Sequence, residues 1–299
     1  MSSVYDIPSL GSAPAAAQTD EGSRTARWRH ASVAQPGAAL EILRSCWGLL
    51  LRDAAVLRSA IGEFLIRTLA QPVLFVFVFT FLFPRIGQRV GDGAYGDVLV
   101  PGLIAVSTVF CGVSSVSLPL AIEFGATREI EDRVLVPVPL WAVGLEKVAW
   151  GAAQSAVAGL LVIPLAVLFG NAPLSLSAAQ LPPFLGVLAL ACWISGALGL
   201  VVGTMVPPQR MGLVFSVLVV PLSFLGCAYY PWIALRPVPW LSWAVLANPV
   251  TYLSEGLRSS WSPSVPHLDP GITFAAALVF AVALTVAGGW LFARRVTRL

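Results

Sequence analysis

The densest group of charged side chains in the sequence lies in the stretch TREIEDRV, between two long apolar runs. Five of the six residues from 128 to 133 are charged, and three of them (Glu129, Glu131 and Asp132) are acidic. Carboxylates this close together could hold Mg²⁺, which takes oxygen ligands. No second aspartate-rich segment accompanies them in the sequence. A membrane phosphatase or prenyltransferase, which needs clustered His or repeated Asp, is therefore disfavoured.

The same stretch fits a docking helix better. Oppositely charged residues stand four positions apart in two pairs, a spacing that stabilises a helix. Ile130 and Val134 form a short apolar ridge beside this charged rim, and Pro137 ends the helix. The stretch is therefore interpreted either as a short helix that docks on another protein or as a solvated loop. The predicted docking surface consists of Arg128, Glu129, Ile130, Glu131, Asp132, Arg133 and Val134.

Other residues that commonly carry chemistry are scarce. A phosphate-binding P-loop requires G-x-x-x-x-G-K-[ST], but Lys147, in LEKV, is the sole lysine of the sequence. The sequence therefore contains no P-loop with which to bind and hydrolyse ATP. The four cysteines have no metal-like spacing, and no basic patch with interleaved aromatic residues indicates nucleic acid. We predict a chain that is not an enzyme and has no metal or cofactor of its own.

The elements that would carry these residues are apolar helices. Hydrophobic residues make up 57% of the chain and charged residues 11%. A membrane span needs about 20 helical residues, and lipid leaves no partner for unpaired backbone groups. The sequence therefore predicts an all-α polytopic membrane protein. The uncharged blocks are residues 68–84, 98–122, 148–170, 181–206, 211–235 and 271–293.

These blocks contain no Asp, Glu, His, Lys or Arg, which argues against an ion-coupled carrier or channel, since such proteins carry charges deep in their spans. A seventh uncharged segment, residues 237–254, contains three prolines and two tryptophans and predicts short, broken helices at the membrane surface. With six spans, most arginines fall on the side of both termini. The positive-inside rule thus favours six transmembrane helices with both termini in the cytoplasm.

The N-terminal part of the chain differs from the rest. Residues 1–36 are rich in Ser, Ala, Gly and Pro and predict a disordered cytoplasmic tail without a signal peptide. Residues 37–65 form an amphipathic pattern with basic side chains and a tryptophan, which predicts a helix lying at the membrane interface. Packing on a partner domain is the alternative. Residues 66–299 are expected to form the six-helix transmembrane domain.

Two further sets of polar residues have open interpretations. Glu146 and Lys147 precede the third block and could be an interfacial anchor pair or part of a gate. Hydroxyl groups on two spans could line a transport path or simply pack helices together. The candidate path-lining residues are Ser107, Ser114, Ser115, Ser216 and Ser223. A path of hydroxyl, aromatic and aliphatic groups suits an amphipathic cargo better than an ion.

From about Leu40 onward, the chain resembles the permease subunits of ABC type-2 exporters, which move drugs, lipids or glycans out of bacteria. The resemblance rests on the amphipathic helix, the six-span plan, the acidic segment followed by VLVPVPLWAV, and YYPWIALRPVPWLSWAVLANPVTYLSEGLR before the last span. It implies a location in the bacterial inner membrane. It also implies two copies of an ATPase subunit, which bind ATP and Mg²⁺, and a second copy or paralogue of the permease.

The resemblance assigns roles to two segments. Residues 123–135 would be the coupling loop, which sits in a groove of the ATPase and transmits its closure. Residues 229–258 would form half-helices that re-enter the membrane from outside. The residues implied for this external gate are Tyr229, Tyr230, Trp232, Asn248, Glu255 and Arg258.

Overall fold

The computed structural model describes residues 38–59, 61–82, 85, 95–127, 139–170 and 177–297, and within these ranges it is all-helical, with no β-strand. Two α-helices are extended by a π-helical turn, α2 by Phe77–Leu82 and α3 by Glu123–Thr127. In chain order the helices are α1 (Ala38–Ser59), α2 (Ile61–Val76), α3 (Tyr95–Ile122), α4 (Leu140–Gly170), α5 (Leu181–Met205), α6 (Pro208–Phe224), α7 (Pro239–Ala244), α8 (Pro249–Trp261) and α9 (Pro270–Val296).

Four of the described helices, α3, α4, α5 and α9, are long and apolar enough to cross a membrane. They correspond to four of the six predicted spans. The first predicted span falls on α2, and the fifth falls on α6, which is shorter. Helix α6 ends at Phe224. Three residues later, Cys227 adopts a positive φ of 53°, which does not occur in a right-handed helix, so the helix cannot continue through this turn. The structure thus supports a polytopic helical protein, and the count of six spans stays a prediction.

Helix α3 is the centre of the bundle. It is buried along most of its length and packs against α4, α5 and α8. Helices α4 and α9 instead leave most of their surface uncovered, including large apolar side chains such as Leu168, Val279 and Val286. Uncovered apolar surface of this kind is expected of helices that face lipid. Helix α3 is therefore the most enclosed of these four long helices.

The segment from Pro239 to Trp261 forms two short helices rather than a seventh span. Pro249 occupies the first turn of α8, where its missing N–H does no harm. The Asn248 side chain caps the same helix by accepting a hydrogen bond from the Val250 N–H, at 2.9 Å. Asn248 and Pro249 therefore start a new helix, separate from α7. The re-entrant placement of this segment in a membrane stays a prediction.

Among the described side chains of α1, Arg52 and Arg58 are exposed, and so are Trp47 and Leu51. This mixture of basic and apolar exposed groups is consistent with the predicted amphipathic helix. Its position at a membrane interface stays a prediction, and residues 1–36 of the predicted tail lie outside the described residues.

Buried charged residues lie at both ends of the helical bundle, and each end is called after one of them. The Arg258 end comprises residues 95–102, 225–235 and 248–269, and the Glu123 end comprises residues 123–127, 140–147, 203–210 and 292–297. Helix α3 runs from one to the other, so the two ends are roughly 38 Å apart by its helical rise.

Candidate functional site

The Arg258 end is organised around two charged residues of α8. Glu255 and Arg258 stand three positions apart on one face of the helix and form a salt bridge. Both side chains are fully buried, with 0% of their surface exposed. Buried charges are costly unless each is paired and fully hydrogen-bonded, so the remaining partners of this pair decide what it does.

The Arg258 guanidinium joins three parts of the chain. Its Nε and Nη2 donate to the Val98 carbonyl in the first turn of α3, at 3.3 and 3.2 Å. The same Nη2 donates to the carbonyls of Cys227 and Ala228, at 2.9 and 3.4 Å. These last two carbonyls belong to the turn after α6. Arg258 therefore fastens the start of α3 and the end of α6 to α8.

The Glu255 carboxylate supplies the other half of this junction. Its Oε1 accepts a hydrogen bond from the backbone N–H of Trp232, and its Oε2 accepts one from the N–H of Leu268, both at 2.9 Å. Leu268 lies immediately before α9, whose N-cap is Asp269. The two residues together thus connect α3, the turn after α6, the 3₁₀ segment Trp232–Leu235 and the start of α9.

The other residues predicted for the external gate surround this pair. Asn248 donates from Nδ2 to the Leu222 carbonyl at 2.6 Å, in addition to capping α8. Trp232 donates from Nε1 to the Ser242 carbonyl at 3.0 Å. The Tyr229 ring packs between Phe75 and Phe224, and the Tyr230 hydroxyl donates to the Phe224 carbonyl at 3.3 Å. The structure therefore brings all six predicted residues together, while their role as a gate stays a prediction.

Two residues of this site were not recognised in the sequence. Gly102 lies where α3 passes the turn after α6, and a Cβ atom at this position would stand 1.7 Å from the Ala228 carbonyl oxygen. Cys227, fully buried, holds the positive φ that points its carbonyl at Arg258. A glycine and a cysteine in apolar runs give no local signal for such positions, because the constraint comes from distant parts of the chain.

The Glu123 end carries a second buried ion pair. The Lys147 Nζ donates to Oε1 of Glu123 at 2.8 Å, and less than a tenth of either side chain is exposed. Glu146, next to Lys147, is also buried. Lys147 therefore does not reach out to lipid headgroups as an interfacial anchor would. The predicted docking residues 128–134 lie outside the described residues.

Comparison with known proteins identifies the family. A sequence model of the ABC-2 type transporter family matches residues 46–261, which is most of the chain. The chain belongs to the ABC-2 type transporter family. Similar relatives are the inner membrane transport permeases YadH of Escherichia coli K12, of Escherichia coli O157:H7 and of Shigella flexneri. Each is 28% identical over 225 residues, which cover 73% of this chain and 84% of the relative. With its four long apolar helices, the protein is thus a transmembrane permease of this family.

The family match of this permease includes both buried ion pairs and ends with α8. No group of three or more His, Cys, Asp or Glu residues that could hold a metal ion occurs among residues 38–59, 61–82, 95–127, 139–170 and 177–297. The acidic stretch 129–132 is not among these residues. The charges that the structure describes at the two ends join helices through salt bridges and backbone hydrogen bonds.

The serines proposed to line a path in the permease mostly bond within their own helix. Ser114 and Ser115 donate to carbonyls three residues earlier in α3. Ser216 and Ser223 donate to carbonyls four residues earlier in α6. Ser107 is buried in α3. Helix-internal bonds of this kind are common in membrane helices and do not distinguish a path from packing, so the lining role stays a prediction.

The contact at Gly102 gives a direct test of the Arg258 end. Gly102→Ala is expected to destabilise the permease by about 1–3 kcal/mol, because the new methyl group can fit only if backbone moves. Thermal unfolding in detergent should show a lower midpoint. Gly289→Ala on α9 is the matched control, since nothing lies within 4 Å of its Cβ position. Equal midpoints for the two variants would contradict the close approach of α3 to residue 228.

Proposed function

We propose that this protein is the transmembrane subunit of an ATP-driven ABC exporter, which moves an amphipathic drug, lipid or glycan-type substrate across the bacterial inner membrane. The observation that carries the proposal is the family match over residues 46–261. It is supported by the relationship to inner membrane transport permeases and by four apolar helices of membrane-spanning length.

The energy for transport comes from a separate ATPase in this proposal. The chain lacks the lysine-containing P-loop that would bind the terminal phosphates of ATP. Two ATPase subunits bind ATP and Mg²⁺ and attach to a pair of permeases, either two copies of this chain or one copy and a paralogue. Each permease has six spans, cytoplasmic termini and an interfacial helix over residues 37–65.

Residues 123–135 form the coupling loop of this assembly. Its charged rim, from Arg128 to Arg133, contacts a groove of the ATPase, and Ile130 and Val134 fill the apolar part of that groove. Closure of the ATPases on ATP moves the loops and shifts the central helices between two packings. This opens a path for the cargo, and the junction around Glu255 and Arg258 is the external gate that the shift acts upon.

An ion-coupled or stand-alone carrier is the second candidate. Such a carrier needs titratable groups that can take up and release ions along the path. Four of the charged side chains buried in the described part of the bundle are instead engaged in salt bridges, Glu123 with Lys147 and Glu255 with Arg258. This pairing favours the ATP-driven mechanism.

The two candidates differ in their energy source, which inverted membrane vesicles can separate. Rhodamine 6G is added outside vesicles with and without the permease and its ATPase, or an NBD-labelled phospholipid is incorporated into their outer leaflet. We expect accumulation or flipping that requires ATP and survives a protonophore. Transport that follows an imposed proton gradient without ATP would instead establish the ion-coupled carrier.

A further inference from the structure

The first five residues of the predicted coupling loop are not free-standing. Glu123–Thr127 continues α3 as a π-helical turn, and both Glu123 and Phe124 are buried. Single π-helical turns inside or at the end of helices are rare and often occur at functional sites. The contacts of this turn show which helices would respond to a movement of the loop.

The first contact joins the two helices on either side of the loop. Glu123 lies directly after α3, and Lys147 lies two turns into α4. Their salt bridge at 2.8 Å therefore closes the base of the loop, whose remaining residues come between them in the chain. Because the pair is buried, water and salt screen it little.

The second contact joins the turn to the last helix. The Phe124 ring meets the Phe292 ring edge-on, with 5.9 Å between centroids, and the Arg295 guanidinium lies 4.4 Å from the Phe124 centroid. Arg295 also donates hydrogen bonds to the carbonyls of Gly203 and Thr204 at the end of α5. Phe124 is thus linked to both α9 and α5.

The third contact involves Gly125. A Cβ atom at this position would lie 2.9 Å from Cγ of Pro208, so only glycine lets the turn pack this closely on the start of α6. One turn of π-helix therefore touches or links to α4, α5, α6 and α9.

Stability alone does not account for the ion pair that Glu123 of this turn forms with Lys147 of α4. Replacing a buried salt bridge with apolar side chains of similar volume is often neutral or stabilising. A salt bridge between two helices can instead fix one arrangement of those helices. Resting on the proposed function, we propose that the Glu123–Lys147 pair is a positioning element. It locks the base of the coupling loop to α4, so that movement imposed by the ATPase passes through the Glu123–Thr127 turn into the helical bundle.

The test uses the permease–ATPase complex in lipid nanodiscs and requires no knowledge of the cargo. Hydrogen–deuterium exchange of residues 229–258 is compared without nucleotide and with ATP plus vanadate. In the wild-type complex we expect nucleotide to change exchange in this segment, at the opposite end of the bundle. In the neutral double variant Glu123→Met/Lys147→Met we expect retained ATP hydrolysis but loss of most of that change.

Two further variants separate charge pairing from packing. The swapped pair Glu123→Lys/Lys147→Glu should restore at least part of the response, since the link is re-formed with reversed polarity. Arg294→Met removes one exposed positive charge at the same end and should respond as the wild type does. A neutral double variant with the full wild-type response would overturn this inference alone. If the wild-type permease forms no complex with an ATPase, or if that complex shows no response to nucleotide, the proposed function is overturned as well.

Discussion

Replacing Arg258 with methionine is expected to destabilise the permease severely. The change leaves the Glu255 carboxylate buried without its positive partner, which typically costs about 3–5 kcal/mol. It also removes the donors to the carbonyls of Val98, Cys227 and Ala228. Membranes should then contain little folded permease, and the remainder should unfold at a markedly lower temperature. Size-exclusion chromatography of a fluorescent fusion and thermal unfolding in detergent measure both effects.

Two companion variants make this result specific. Arg258→Lys should fail as well, because a single ammonium group cannot donate to the carboxylate and to all three carbonyls in the directions that the planar guanidinium allows. Arg236→Met, which removes an exposed arginine directly after the 225–235 segment of this end, should leave folding unchanged. If Arg258→Met matches the wild type in amount and unfolding temperature, the junction described around α8 does not hold the helices together.

Reversing the three acidic residues of the docking surface is expected to abolish transport without unfolding the permease. In the proposed assembly, Glu129, Glu131 and Asp132 changed together to lysine would place positive charge where the ATPase groove meets negative charge. Because the loss of about 1.4 kcal/mol already weakens binding tenfold, ATP-driven dye or lipid movement should fall by at least about tenfold. The vesicle assay measures transport, and quantification of the membrane fraction shows whether the protein is still inserted.

The N-terminal segment offers a matched control for this variant. Asp6, Asp20 and Glu21 changed to lysine alter the net charge of the chain by the same amount, outside the proposed docking surface. That triple variant should transport as the wild type does. Undiminished transport after reversal of Glu129, Glu131 and Asp132 would exclude the coupling role of the acidic stretch.

The positions of the long helices could be predicted because lipid enforces them. Uncharged blocks mark spans, since an isolated charge is expensive in a bilayer, and the block from 181 to 206 matches α5 to within one residue. The same criterion failed at α4, which begins eight residues before its block. Glu146 and Lys147 lie inside this helix, and burial of Lys147 is offset by Glu123, a partner from another helix that composition cannot reveal.

The fifth block shows a second limit of the sequence. Residues 211–235 are uncharged throughout, yet the helix ends at Phe224. The turn that follows is fixed by hydrogen bonds from Arg258 to Cys227 and Ala228, which are about 30 residues away in sequence. The membership of Glu255 and Arg258 in one site could be inferred from resemblance. Their function as a junction of four segments could not, because it depends on backbone carbonyls, which every sequence contains.

In the proposed function, a separate ATPase drives this permease. Affinity purification of the tagged protein from mildly solubilised native membranes, followed by mass spectrometry, tests it most directly. We expect recovery of a P-loop ATPase in amounts equal to the permease, and its loss when Glu129, Glu131 and Asp132 are reversed. Recovery of the permease without any ATPase, together with transport that persists after ATP depletion, would contradict ATP-driven transport.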